Sequence, residues 1–124
     1  MSRGKILIVD DEADIAEVIG DRLETWGFQA RIVGSARACY AAVEEDAPDL
    51  ILLDIQMPEI NGIEALRTLR ARHPEIPVLM ITASTGQKAA QDSGQHGAAG
   101  FLLKPFEPEE LKGKVFQLLK RERI

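Results

Sequence analysis

The sequence predicts an α/β domain in which a parallel sheet is covered by helices on both faces. Five short apolar runs alternate with stretches whose apolar residues recur at helical spacing, a pattern typical of parallel strands joined by helices. The 124 residues suffice for one core of their own, and no linker or further repeat divides them. The predicted strands are Ile6–Val9, Ala30–Val33, Leu50–Leu53, Val78–Ile81 and Phe101–Leu103.

Apolar spacing and end signals predict the first two helices. The first lies between Asp14, a candidate N-cap, and Gly27, which ends it. The second runs from about Ser35 to Ala47, is rich in alanine and ends before Pro48. The apolar stripe of the first helix repeats at helical spacing and consists of Ile15, Val18, Ile19, Leu23 and Trp26.

The third and the last helix also have clear end signals. The third follows Asn61-Gly62 and ends at His73-Pro74. The last begins with Pro108, which suits the first helical position, and Glu109-Glu110 in its first turn complement the helix dipole. We expect His73 to face solvent and Cys39, in the second helix, to be a small packing residue.

The fourth predicted helix lies between Thr82 and Gly100 and differs from the others. Alanine is the largest apolar residue of this segment, which also contains four glycines. Because each glycine inside a helix costs roughly 1 kcal/mol relative to alanine, a helix here is expected to pack weakly. The sequence therefore predicts that this segment is looser than the rest of the fold.

Composition and charge exclude several classes of protein. The 15 Lys and Arg residues against 20 Asp and Glu give a net charge of −5, so we expect no direct binding of nucleic acid. The single cysteine, Cys39, cannot form an intramolecular disulfide and favours a reducing compartment. Only four apolar residues separate the Met1–Lys5 segment from Asp10, too few for a signal peptide or a membrane span. We therefore expect a cytoplasmic protein that makes no membrane contact.

Polar side chains stand at the ends of four of the five predicted strands. The first strand ends at Asp10-Asp11, the third at Asp54, the fourth at Thr82 and the fifth at Lys104. The second ends at Gly34-Ser35, as an edge strand far from a site would. Ligands of open parallel sheets bind beyond the carboxyl ends of the strands, so we expect these polar side chains to lie together.

This set of residues suits the chemistry of phosphoryl transfer. Carboxylates gathered at one edge repel one another, and a divalent cation that prefers oxygen ligands, Mg²⁺ or Mn²⁺, relieves the repulsion. Lys104 adds a fixed positive charge and Thr82 a neutral donor, which together form a pocket for a phosphoryl group. An aspartate beside the metal could act as nucleophile and give an aspartyl phosphate.

Five motifs carry a resemblance to a known family. In chain order they are Val9-Asp10-Asp11-Glu12, Leu52-Leu53-Asp54-Ile55-Gln56-Met57-Pro58, Asn61-Gly62, Ile81-Thr82-Ala83 and Lys104-Pro105-Phe106. With them the chain resembles the receiver domain of two-component response regulators over about Lys5 to Leu119. The resemblance implies a flavodoxin-like (βα)5 fold with strand order 2-1-3-4-5. It also implies one receiver domain over residues 1–124, with no output domain in this chain.

The resemblance also assigns the phosphoacceptor and its metal. It implies that Asp54 accepts a phosphoryl group from the phosphohistidine of a sensor histidine kinase. Asp10, Asp11, Asp54 and the backbone carbonyl of Gln56 would hold the Mg²⁺. Such a domain promotes its own phosphorylation and dephosphorylation and is not a turnover enzyme in the usual sense.

Further roles follow from the same resemblance. Thr82 and Lys104 would bind the phosphoryl oxygens, and the Lys104-Pro105 peptide bond is expected to be cis. Phe101 occupies the aromatic switch position, where the ring turns inward as Thr82 is drawn toward the phosphate. Gln56 and Ser84 stand at the two variable positions that tune the lifetime of the phosphoryl group. The output surface for a downstream protein would be formed by the fourth helix, fifth strand and fifth helix.

Several interpretations remain open at the level of sequence. The domain could be a phosphate-independent binding module that recruits its partner constitutively, although the complete set of site residues argues against this. It could also be a phosphorelay intermediate, or a receiver excised from a longer regulator.

Overall fold

A computed structural model describes residues 3–55, 62–83 and 97–122. Five strands form one parallel sheet of order β2-β1-β3-β4-β5, which confirms the predicted fold class and strand order. The strands are β1 Lys5–Val9, β2 Gln29–Val33, β3 Leu50–Asp54, β4 Val78–Ala83 and β5 Gly100–Lys104. The described helices, numbered in chain order, are α1 Ala13–Thr25, α2 Ala36–Glu45, α3 Gly62–Arg72 and α4 Pro108–Glu122.

The sheet separates two hydrophobic clusters, and the alternation of side chains along each strand fills both. In β1, Ile6 and Ile8 pack against α1 and α4, whereas Leu7 and Val9 pack against α2 and α3. All five residues of β3 are buried because this strand lies at the centre of the sheet, covered on both faces. The edge strand β2 is mostly exposed or half-buried. Asp54, the last residue of β3, therefore ends the strand that is buried along its whole length.

Local hydrogen bonds explain where the helices begin and end. The Ser35 side chain accepts the N–H of Ala38 at 3.1 Å, so α2 begins directly after Ser35, close to the predicted start. Gly27, at a φ of +97°, follows the last turn of α1 as predicted. The predicted cap of α1 is wrong by two residues: Glu12 occupies the N-cap position, and Asp14 lies in the first turn, where its charge favours the helix dipole.

Two predictions about single residues have different outcomes. Cys39 is fully buried among the residues of the α2–α3 face, which confirms its role as a packing residue. His73 was expected to face solvent, but its ring lies 3.2 Å from a carboxylate oxygen of Glu44 and is half-buried. This contact joins the end of α3 to the end of α2. The expectation failed because the partner is distant in sequence.

Some predictions fall on residues outside the described ranges. The predicted fourth helix and its looseness concern the segment between Thr82 and Gly100, of which residues 84–96 lie outside, and so do Gln56 and Ser84. Of the helices that the structure describes, none has the length and apolar character needed to cross a bilayer.

Candidate functional site

The carboxyl ends of the strands bring four of the predicted site residues to one edge of the sheet. Asp54 is the last residue of β3, Lys104 is the last residue of β5, and Asp10 follows β1 directly. Thr82 lies near the end of β4, paired in register with Leu103 of β5. Because all five strands are parallel, their last residues share one side of the domain.

Lys104 joins the acidic residues of this edge. Its Nζ lies 3.1 Å from Asp10 Oδ2, 3.6 Å from Asp54 Oδ2 and 4.0 Å from Glu12 Oε1. Asp10 is only 3% exposed and Asp54 only 5%, so their carboxylates have lost most of their contact with water. A buried carboxylate needs a nearby positive charge, and the ammonium of Lys104 supplies it.

The electrostatics of Lys104 reflect two opposing effects. Burial lowers the pKa of its ammonium, but the hydrogen bond to Asp10 and the charges of Asp54, Asp10 and Glu12 outweigh burial. The net result is a pKa above the usual value for lysine. Lys104 therefore remains charged at neutral pH and partly compensates the surrounding carboxylates.

Three carboxylates form a group that could hold a metal ion. One oxygen each of Asp10, Glu12 and Asp54 lies within 4.8 Å of the other two. Oxygen ligands of this kind suit a hard cation such as Mg²⁺, so the residues present fit the predicted metal. The domain thus has an acidic pocket at the carboxyl edge of the sheet.

The composition of this group differs in one residue from the predicted ligand set. Asp11 is exposed and does not belong to the group, whereas Glu12, to which we assigned no role, does. The turn after β1 explains the difference, because Asp10 Oδ1 accepts the N–H of Glu12 at 2.9 Å and folds the chain back. The only signal in the sequence is the acidic run Asp10–Glu12, which does not say which side chain points inward. The role of Asp11 stays a prediction.

Thr82 is the third buried polar residue of the site. Its side chain is fully buried, and among the residues that the structure describes its hydroxyl has no hydrogen-bond partner. A buried hydroxyl without a partner destabilises a fold by about 1–3 kcal/mol, which is unusual unless a ligand satisfies it. Thr82 therefore offers a free donor at the end of β4.

The remaining predictions for the site concern the Lys104-Pro105 peptide bond, Phe101 and Gln56. The Lys104-Pro105 peptide bond is cis, which confirms the expectation. The side chain of Phe101, on β5, is 42% exposed, and its role as a switch stays a prediction. The same holds for Gln56, whose carbonyl was predicted to be a metal ligand and which lies outside the described residues.

An apolar groove of about 600 Å³ adjoins the acidic pocket. Ile15, Val18 and Ile19 of α1 form one part of its lining, and Pro105 and Phe106 form another. Val18 is 60% exposed, a high value for a large apolar side chain beside a buried site. Lys104 lines this groove and also contacts Asp10, so the groove and the acidic pocket are neighbours.

Comparisons with known proteins agree with this geometry. The family model "Response regulator receiver domain" matches residues 6–116. The chain is 39% identical to the DNA-binding response regulator MtrA of Mycolicibacterium paratuberculosis over 96% of its own length and 52% of the length of MtrA. It is 32% identical to the regulatory protein LuxO of Vibrio vulnificus over 92% of its length and 25% of LuxO. The chain thus spans about half or less of these curated relatives.

Solved structures show the same fold. The receiver domain of NtrX from Brucella abortus superposes with a TM-score of 0.90 at 32% identity, covering 93% of this chain and 98% of that domain. A response regulator receiver domain protein from Clostridium thermocellum gives a TM-score of 0.92 at 25% identity, covering 99% and 98%. Receiver domains are not classical enzymes, and they imply a histidine kinase as partner. On its sequence, its sheet and its acidic pocket, this chain belongs to the response regulator receiver domain family.

Proposed function

We propose that this domain is a phosphorylation-dependent signalling switch that accepts a phosphoryl group on Asp54. The observation that carries the proposal is the position of the Lys104 ammonium, 3.1 Å from Asp10 Oδ2 and 3.6 Å from Asp54 Oδ2. A fixed cation beside a nearly buried carboxylate can bind phosphoryl oxygens next to the nucleophile. A phosphoacceptor role is also consistent with the family.

The proposed transfer makes one bond and breaks another. A carboxylate oxygen of Asp54 attacks the phosphorus of a phosphohistidine on the kinase. The O–P bond forms as the N–P bond breaks, and the electron pair of the broken bond stays on the imidazole nitrogen. A carboxylate nucleophile needs no general base to remove a proton from it. The transfer still requires that the phosphoryl group be aligned and that the negative charge on its oxygens be stabilised. Lys104 and the Thr82 hydroxyl meet these two requirements.

The acidic pocket provides the residues that would hold Mg²⁺ or Mn²⁺. Asp10 and Asp54 would be ligands, together with Asp11 and the Gln56 carbonyl that the family resemblance implies, and Glu12 lies close enough to contribute. When bound, the cation would neutralise negative charge shared between Asp54 and the incoming phosphoryl oxygens. The Asp54 carboxylate is the nucleophile, so its position determines where the donor must place its phosphorus atom.

The groove beside the pocket is a suitable place for the phosphodonor protein. A donor must approach Asp54 from the carboxyl edge of the sheet, and the apolar lining around Val18 lies beside that approach. Burial of an exposed apolar side chain by a partner stabilises a complex. We propose that the domain of the sensor histidine kinase that carries the phosphohistidine covers this groove.

The output of the switch would lie on another face. We propose that Thr82 moves toward the phosphoryl group and that Phe101, now 42% exposed, turns inward. The downstream protein would bind the face formed by the predicted helix in segment 84–96, by β5 and by α4. We further propose that residues 1–124 act as one receiver domain in the cytoplasm and that a downstream effector, rather than this domain, contacts any nucleic acid.

Intact-mass measurement after addition of acetyl phosphate and Mg²⁺ tests the proposed function. We expect one phosphoryl adduct on the wild-type protein and none on Asp54→Asn, which retains the size of the side chain. Chelation of Mg²⁺ is expected to abolish the adduct. A wild-type protein that takes up no phosphoryl group, although it is folded and binds Mg²⁺, would support the alternative of a phosphate-independent binding module.

A further inference from the structure

The start of α3 lies directly against the backbone that follows the phosphoacceptor. Gly62 is the first residue of α3 and is buried. A Cβ atom at Gly62 would stand 2.4 Å from the Cα of Ile55 and 2.5 Å from the carbonyl oxygen of Asp54. Both are backbone atoms, which cannot rotate away as the end of a long side chain can. Any side chain at position 62 must therefore separate α3 from the Asp54–Ile55 peptide.

A hydrogen bond fixes the same contact. The N–H of Gly62 donates to the carbonyl oxygen of Ile55 at 2.7 Å. On the other side, the N–H of Ile55 donates to the carbonyl oxygen of Ile81 in β4 at 3.1 Å. The backbone that follows Asp54 is thus held between α3 and the neighbouring strand β4.

α3 cannot retreat freely to make room for a side chain. Ala65, Leu66 and Leu69 are at most 1% exposed and belong to the cluster between this helix and the sheet. Moving the helix outward would open that cluster, and close-packed interiors resist such a shift. A side chain at position 62 is therefore expected to displace the backbone at Ile55, the first residue after β3, and with it the Asp54–Ile55 peptide.

We infer that Gly62 is a positioning residue for Asp54. The absence of a Cβ lets α3 support the Asp54–Ile55 peptide at a distance that holds the Asp54 carboxylate beside Lys104 and Asp10. This inference rests on the proposed function, because it concerns the reactivity of the same carboxylate. It assigns to Gly62 a steric role, and no chemical role of its own.

Gly113 provides a matched control in the same chain. It also lies within a helix, α4, but it is exposed, and a Cβ at this position would meet nothing within 4 Å. Gly113→Ala therefore makes the same chemical change without the contact. A purely local effect of alanine on helix stability would appear in both variants, whereas a displaced Asp54 would appear only in Gly62→Ala.

The experiment compares both variants with the wild type at equal concentrations of folded protein. We expect Gly62→Ala to lower the rate of phosphorylation by acetyl phosphate, per folded molecule, by about tenfold or more. We also expect it to shift the carbon-13 resonance of the Asp54 side-chain carboxyl and to weaken the binding of Mg²⁺ alone. Gly113→Ala should leave all three unchanged. A lower stability with an unchanged rate, resonance and Mg²⁺ affinity would show that Gly62 is merely structural.

Two additions keep the inference testable whatever the variant does. Gly62→Ala is also made in the Gly113→Ala background, which raises the stability of α4 and favours a folded protein. In the wild type, amide hydrogen exchange of Gly62 should be as slow as that of Ile55, and faster exchange would overturn the inference. If the wild type takes up no phosphoryl group, the proposed function fails, whereas an adduct formed equally fast in Gly62→Ala contradicts the positioning role alone.

Discussion

The ammonium of Lys104 lies 3.1 Å from the Asp10 carboxylate, although the two residues are 94 positions apart and their strands, β5 and β1, are separated in the sheet by β3 and β4. The lysine side chain thus reaches across the edge at which Asp54 lies. It places a positive charge between the two buried carboxylates. In this arrangement Lys104 neutralises the charges that a metal ion would otherwise neutralise.

Replacing Lys104 should therefore change metal binding and phosphorylation in opposite directions. Lys104→Met removes the competing positive charge, so we expect Mg²⁺ to bind about tenfold more tightly, a gain of about 1.4 kcal/mol. The same variant loses a donor to the phosphoryl oxygens, and its phosphorylation rate should fall about a hundredfold. Calorimetric titration with Mg²⁺ and the intact-mass assay measure the two effects.

Lys5→Met is the control for net charge. Lys5 pairs with Asp46, and it begins β1 at the opposite end from Asp10, so its loss removes one positive charge far from the pocket. We expect neither the Mg²⁺ affinity nor the phosphorylation rate to change by more than about twofold in this variant, because exposed distant charges are screened. An unchanged Mg²⁺ affinity in Lys104→Met would show that the lysine does not compete with the metal.

The buried hydroxyl of Thr82 leads to a prediction about stability. Thr82→Val replaces a hydroxyl that has no partner among the described residues by a methyl group of similar size. We expect the free energy of unfolding of the unphosphorylated protein to rise by about 1 kcal/mol, while the phosphorylated form becomes shorter-lived or forms more slowly. Urea denaturation measures the first effect and the intact-mass assay the second.

Thr25→Val is the matched comparison. The hydroxyl of Thr25 donates to the carbonyl oxygen of Asp21 at 2.9 Å, so this variant loses a hydrogen bond. We expect its free energy of unfolding to fall or stay level, within about 1 kcal/mol. If Thr82→Val is destabilised as well, the Thr82 hydroxyl is already satisfied in the unphosphorylated protein, and its availability for a phosphoryl oxygen is in doubt.

The position of Asp10, Asp54, Thr82 and Lys104 could be predicted because it depends only on strand order and on where each apolar run ends. Parallel strands place their last residues on one side, whatever the details of packing. The choice between Asp11 and Glu12 could not be predicted in the same way. It depends on a single turn, in which the Asp10 side chain accepts the N–H of Glu12, and the letters of an acidic run do not reveal such a turn.

Contacts between distant elements were equally hidden. The motif Asn61-Gly62 indicates the start of a helix. That an added Cβ at Gly62 would stand 2.5 Å from the Asp54 carbonyl oxygen depends instead on how α3 docks on the sheet. His73 and Glu44 are 29 residues apart, and no spacing rule connects them. Local pattern thus predicts the elements and their ends, whereas docking decides which side chains meet.

A comparison of Asp11→Asn with Glu12→Gln tests the ligand set of the metal. Each variant removes one negative charge from the end of β1 while keeping the size of the side chain. The family resemblance implies that Asp11 is a direct ligand, so we expect Asp11→Asn to weaken Mg²⁺ binding by about tenfold or more. The Glu12 side chain is 60% exposed and its charge is screened by water, so Glu12→Gln should weaken binding by only about twofold to threefold.

The reverse order would assign the ligand to Glu12, as the grouping with Asp10 and Asp54 favours. Calorimetric titration with Mg²⁺ alone distinguishes the two results. Asp14→Asn, which removes a negative charge in the first turn of α1, serves as the control for charge effects that do not involve a metal ligand. If all three variants lose the same small amount of affinity, neither Asp11 nor Glu12 contacts the metal directly.

The buried thiol of Cys39 predicts how stability depends on pH. Burial raises the pKa of this thiol from 9.0 to about 12. Between these values the unfolded chain has lost the thiol proton and the folded chain has kept it, so the thiol makes the protein less stable as pH rises. The free energy of unfolding of the wild type, relative to Cys39→Ala, should fall by about 1.4 kcal/mol from about pH 8 to about pH 10 and stay constant below about pH 8. Urea denaturation at matched pH measures this difference. The two proteins share every other side chain, so the pH dependence that does not involve Cys39 cancels in the comparison. A difference that does not change with pH would show that the thiol is exposed to water in the folded state.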